Sequence, residues 1–213
     1  MPLDTFLIAL TTYFATIGPA DIVVLFAALT AGASAKERRA MALKGTVIGG
    51  LVLLFFALFG EAILHIFGIG LPALRAAGGI LLLLISIDMV FARDSSATST
   101  TDEENAEAAS SNDISVFPLA TPLIAGPGAI GATILLIADA SGDHARQAAV
   151  VGGLMTILMA TYLLLLGATQ LQKILGVTIL HVVSRVVGVL LAALSVQFIF
   201  DGIRTSGLIP GLT

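Results

Sequence analysis

The chain is a succession of long apolar runs joined by short polar stretches. Runs dominated by Leu, Ile, Val, Ala, Phe and Gly occupy residues 5–31, 43–65, 73–92, 115–138, 147–170 and 183–203. Each is near or above the roughly 20 residues a helix needs to cross a bilayer, and none has the period-two alternation of a barrel strand. The pattern predicts an all-α integral membrane protein with six transmembrane helices. Between Arg93 and Asp113 the pattern stops: "RDSSATSTTDEENAEAASSND" is rich in Ser, Thr and acids and holds no large core former. It reads as an acidic, flexible cytoplasmic linker over 94–113, between an N-terminal three-helix unit (1–93) and a C-terminal one (114–213).

The two units carry a weak duplication. Gly18-Pro19 matches Gly126-Pro127, Arg38 matches Arg146 and Gly68 matches Gly176 at one common offset, and "RAAG" at 75–78 matches "RVVG" at 185–188 after a two-residue slip. A unit with an odd number of spans leaves its successor entering the membrane from the opposite side. The expectation is therefore two inverted three-helix repeats, with helices 1 and 4 broken.

The breaks are where the pattern is least like a regular span. The first run has no charge from Thr5 to Ala35 except Asp21, in "IGPAD" at 17–21; the second counterpart is "TPLIAGPGAIG" at 121–131. Proline lacks an N–H and clashes with the preceding turn, which costs about 3 kcal/mol inside a helix, but it suits a helix's first turn. New half-helices are expected at Pro19 and Pro127, each presenting open N–H groups and a positive dipole end near the bilayer midplane. Half-helix N-termini facing each other across an inverted repeat are the pattern of a secondary-transporter binding site. The candidate substrate-binding residues are Gly18, Pro19, Ala20, Asp21, Thr121, Pro122, Gly126, Pro127 and Gly128. Asp21 is the candidate for ion coupling, since desolvation raises a carboxyl pKa and would let it exchange a proton, or with freed carbonyls it could hold Na⁺.

Composition narrows the field. The 213 residues are 57% hydrophobic and 11% charged, with net charge −4 and no cysteine, and the mean hydropathy is +1.05. Nothing outside the spans is long enough for a soluble catalytic domain, no basic patch suits nucleic acid, and neither a metal-ligand spacing nor a nucleophile elbow occurs, so neither enzyme activity nor a cofactor is expected. Asp4 is the only charge before the first run, where a cleavable signal would be basic, so that run is expected to be retained. Lys36, Arg38, Arg39, Lys44, Arg93, Lys173 and Arg185 fall on one side of the predicted membrane and Arg75, Arg146 and Arg204 on the other. The first side is expected to be cytoplasmic, with both termini outside. Lys44 is expected to snorkel, Arg75 and Arg185 to anchor at interfaces or pair with acids, Glu61 and His65 to form an interfacial pair, and His144 and His181 to lie in loops or at the interface. Gly45 and Gly49 permit close helix packing, within one chain or in a homo-oligomer.

"PLATPLIAGPGAI" (118–130), "FGIGLPALRAAGGILLL" (67–83), "LTAGASAKERR" (29–39) and "RVVGVLLAALSVQFIFDGI" (185–203) resemble the MarC family of bacterial and archaeal inner-membrane proteins. The family usually carries an acid or Asn, then Pro, and later Gly-Asn and a second Pro in its first span. Here Gly18 to Val24 keep the proline and the break, place the acid three residues on, and lack the Asn and second proline. The resemblance implies six spans in a cytoplasmic membrane and, from one branch of the family, transport of small neutral amino acids such as glycine or alanine. The leading expectation is a secondary transporter of such solutes coupled to H⁺ or Na⁺. An exporter of drugs or metabolites and a non-transporting membrane scaffold are the alternatives.

Overall fold

The computed structural model describes residues 1–30, 32–91 and 113–207. The elements are α1 (Pro2–Ile17), α2 (Pro19–Leu29), α3 (Ala35–Ile66), α4 (Leu71–Phe91), an irregular segment (Ser115–Ile124), α5 (Pro127–Asp139), α6 (His144–Leu166) and α7 (Ala168–Thr205). Of the expected linker only Asp113 belongs to the described residues. The all-helical expectation holds among these residues. Five stretches are long and apolar enough to cross a membrane: Pro2–Ala27, Ala35–Ile66, Leu71–Phe91, His144–Leu166 and Gly188–Thr205. The irregular segment and α5 make a sixth when taken together, with a bend of 53° between them.

Local chemistry sets the element ends. Pro2 opens α1. At α3, the Ser34 hydroxyl accepts from the Glu37 N–H while the Ser34 N–H donates to Glu37 Oε2 at 2.7 Å, a capping box that satisfies two otherwise orphaned donors. At α6, Asp143 Oδ1 accepts from the N–H groups of Ala145 and Arg146 at 2.9 and 3.1 Å.

One boundary differs from the sequence expectation. Residues 171–182, read as a joint between the fifth and sixth runs, belong to the single 38-residue helix α7, so Lys173 and His181 are helical and not in a loop. The joint is Gly167 alone. "QLQKILGVTILHVVS" holds no proline and one glycine, and its leucines, glutamines and lysine favour helix, so polarity there has no means of ending it. At 1.5 Å per residue α7 is roughly 57 Å long, nearly twice a hydrocarbon core.

Small residues set how closely the helices pack. α4 lies along α7: a Cβ added at Gly79 would stand 2.7 Å from the Ser195 carbonyl oxygen, and one at Gly202 2.9 Å from that of Pro72. The Gly45 and Gly49 positions of α3 face Leu119 and Ile124 of the irregular segment. That small-residue pair is therefore used within the chain.

Charged contacts collect at the two ends of the bundle. At one end Arg75 bonds Asp139 at the close of α5 through Nε, at 2.9 Å, and through Nη2, and its Nη1 donates to Thr205 Oγ1 at 3.3 Å. Arg146 Nε donates to Thr5 Oγ1 at 3.2 Å. Arg75 thus pairs with an inter-helix acid, and this contact offsets the carboxylate of Asp139 at an unfavourable helix C-terminus. At the other end Lys44 Nζ lies 2.7 Å from Asp113 Oδ2. Lys44 does more than snorkel, for it ties α3 to Asp113, two residues before the irregular segment.

Lys44, together with the Ser115 N–H that donates to Asp113 Oδ1 at 3.0 Å, pulls the Asp113 carboxyl down from 3.8 to about 2. A depressed folded pKa contributes stability above the unfolded value, and that contribution is lost as pH falls through the folded one. Wild type should melt above Lys44→Gln at neutral pH, and the gap should close as pH drops from 3.8 toward about 2. A gap that is constant over that range would show that the pair contributes nothing through charge.

Candidate functional site

Both predicted breaks are present, and they are built differently. α1 ends at Gly18, whose φ of 63° and ψ of 57° are left-handed and whose N–H donates to the Phe14 carbonyl at 3.1 Å. A side chain there would be strained, which accounts for the glycine. Pro19 then opens α2 and leaves the Ala15 carbonyl without its i+4 donor. The Gly18 carbonyl accepts from the N–H groups of Asp21 and Ile22 at 3.0 and 3.1 Å. In the first turn of α2 only the Ala20 N–H lacks a backbone acceptor. The expected open donors are thus largely closed at this end, and Asp21 supplies its own negative charge to the dipole.

The second break is wider. Phe117 and Thr121, each preceding a proline in a cis peptide bond, have extended dihedrals (φ −127°, ψ 128° and φ −136°, ψ 126°). The Ala125 N–H reaches back to the Ala120 carbonyl at 2.9 Å. Gly126 caps α5, and a Cβ there would stand 2.5 Å from the Pro122 carbonyl oxygen, so backbone approaches backbone where only glycine fits. Gly128 packs its bare Cα against Ile85. With no side chain at Gly126, no N–H at Pro127 and no acid in the first turn, the Gly128 and Ala129 N–H groups are the open donors of α5.

The two breaks face each other by element. α1 packs on α5, and α2 touches the irregular segment. Each half of the first span therefore meets the opposite half of the fourth, as two antiparallel spans do when their breaks lie at one level. From the midpoint of Pro2–Leu29, Gly18 lies roughly 4 Å and Asp21 roughly 8 Å along the axis, well inside the ~15 Å half-thickness of a bilayer core. Asp21 is exposed on the protein surface, with Oδ2 3.4 Å from where a Gly18 Cβ would sit, so its carboxylate folds back on the break. Gly126 and Gly128 are buried, Pro127 is exposed, and Thr121 is half-buried with its hydroxyl 3.4 Å from the Val116 carbonyl. Glu61 and His65 are exposed near the end of α3. Among the described residues no cluster of His, Asp and Glu could hold a metal ion.

Sequence reading passed over a set of buried hydroxyls beside the breaks. Thr12, Tyr13 and Thr16 of α1 and Thr133 of α5 are all buried. Thr16 Oγ1 donates to the Thr12 carbonyl at 2.9 Å and Thr133 Oγ1 to the Ala129 carbonyl at 2.7 Å. The Tyr13 phenol is turned toward Thr133, yet neither it nor Thr12 Oγ1 completes a well-formed hydrogen bond. The signal for these groups was "TTYFAT" at 11–16, the most polar part of the first run.

Residues 3–206 match the family described as MarC family integral membrane protein. The chain belongs to the MarC family. It is a multi-pass integral membrane protein. Relatives span archaea and bacteria. A UPF0056 membrane protein of Methanocaldococcus jannaschii is 40% identical over 204 residues, covering 96% of this chain and 98% of its own. The Bacillus subtilis UPF0056 membrane protein YvbG is 36% identical over 94% of this chain and 93% of its own. The Escherichia coli protein YhcE is 32% identical over 93% and 91%. No solved structure matches the chain significantly.

Proposed function

We propose that this MarC protein is a secondary transporter of small neutral amino acids, of the size of glycine or alanine, driven by H⁺ or Na⁺. The observation that carries this reading is the pairing of two interrupted antiparallel spans, α1 on α5 and α2 on the irregular segment, with an exposed acid at the first break. An acid at this depth costs roughly 2.5–3.5 kcal/mol on insertion scales, more than a helix start needs, and we take Asp21 to open onto water. The inequality of the breaks suits a zwitterion. The open Gly128 and Ala129 N–H groups and the positive end of α5 favour a carboxylate, whereas Asp21 and the freed Ala15 carbonyl favour a cation, whether ammonium or coupling ion.

In this reading the units 1–93 and 114–213 are inverted repeats that rock about the breaks, and the linker 94–113 is cytoplasmic. The protein sits in a bacterial or archaeal cytoplasmic membrane with both termini outside, and acts as a carrier and not an enzyme. Proteoliposomes holding the purified protein should accumulate labelled glycine or alanine when a proton or sodium gradient is imposed. If no small amino acid moves under either gradient, the reading is wrong.

A further inference from the structure

We propose that Tyr13 is a substrate-contacting residue of this site and donates its phenolic hydrogen to the carboxylate of the bound solute; the assignment rests on the transport reading above. Tyr13 is 0% exposed, and its hydroxyl, turned toward Thr133, completes no well-formed hydrogen bond. Five other buried hydroxyls in the spans satisfy themselves on carbonyls of their own helix: Thr16 on Thr12, Thr133 on Ala129, Thr161 on Ile157, Ser86 on Leu83 and Ser195 on Ala192. A phenol has no such recourse, because its oxygen is held too far from its own backbone. Phenylalanine would fill the same space without an orphaned donor, so packing alone does not call for tyrosine here.

Position says what the phenol could bind. By residue count Tyr13 lies roughly 4 Å from the midpoint of the first span, on the opposite side from Gly18. Its ring is turned toward Thr133 of α5, the helix whose open N–H groups at Gly128 and Ala129 begin at the second break. The Thr133 hydroxyl is already committed to Ala129. The first turn of α5 carries no acid. A buried O–H added to open N–H donors on the facing helix makes a set that matches an oxyanion. Thr12, with its own unpartnered hydroxyl, precedes Tyr13 and extends that set, while the other two buried unpartnered hydroxyls among the described residues, Thr46 and Ser115, belong to α3 and the irregular segment.

The test compares wild type, Tyr13→Phe and Thr12→Val in proteoliposomes, following labelled glycine and alanine, with ethylamine as a competitor that lacks the carboxylate. Losing a hydrogen bond to a charged group should raise KM for the amino acids roughly tenfold or more in Tyr13→Phe. Maximal rate should change much less, and competition by ethylamine should be the same as in wild type. The melting temperature of Tyr13→Phe should equal or exceed that of wild type. An unchanged KM overturns the assignment, and so does an equal loss of ethylamine competition. A melting temperature lowered by several degrees, or failure to fold, also overturns it, because the phenol would then be a structural bond. Absence of flux in wild type overturns the transport reading and this assignment together, whereas flux with an unaltered Tyr13→Phe overturns the assignment alone.

Discussion

Asp21→Asn is expected to abolish gradient-driven accumulation while leaving solute exchange across the membrane in place. The substitution keeps the size and shape of the side chain and removes the group that could take up a proton or face Na⁺. Asp21 is exposed in the first turn of α2, where a carboxylate contributes on the order of 0.3–1 kcal/mol through the helix dipole. Accumulation should fall by an order of magnitude or more, with counterflow of preloaded substrate persisting. Uptake that is still driven by the same ion gradient in Asp21→Asn would remove the coupling role.

Gly126→Ala should be the most damaging single-methyl change at the site. The added Cβ would meet the Pro122 carbonyl oxygen at 2.5 Å, and backbone cannot swing aside as a flexible side chain can. Overpacking of this kind costs roughly 1–3 kcal/mol, and here it falls on the turn that sets the direction of α5. Both the melting temperature and the transport rate should drop. Gly131→Ala is the control, because nothing lies within 4 Å of a Cβ there and the residue is inside α5. Replacing a mid-helix glycine in open space should add roughly 0.5–1 kcal/mol of stability. Matching behaviour of the two variants would mean that the second break is compliant, and that its tight turn is not what aims the α5 N–H groups.

The two predictions differ in how far sequence supports them. Asp21 could be singled out because an acid inside a 26-residue apolar span is anomalous by composition. Gly126 could be singled out only as part of a Gly-Pro-Gly cluster, since the reason for glycine is a contact with the Pro122 carbonyl that the bent path of residues 115–124 creates. The hydroxyls of Thr12 and Tyr13 were harder still. Both residues are common on helices, and their interest arises from burial without a partner, which depends on the helix that lies alongside.

A similar division runs through the fold. Apolar run length located the spans, and proline with its missing N–H located the helix starts at Pro19 and Pro127, because both effects act within a few residues of chain. The same local reasoning misplaced the joint near 171–182. There, polar residues occur in a stretch that lacks any chemical reason to stop a helix, and α7 continues through it.

The sequence by itself determined that the chain is a set of membrane-spanning helices, that two of them are interrupted, and which acid lies at the first interruption. These follow from hydropathy and backbone chemistry that are local in the chain. Only the tertiary structure decided that Gly45 and Gly49 serve packing within the chain, that Arg75 ties the ends of α5 and α7 to α4, and that the second break keeps open donors which the first largely closes. Those outcomes depend on which atoms of distant segments come within hydrogen-bonding or van der Waals range, and that is set by helix packing and not by sequence spacing.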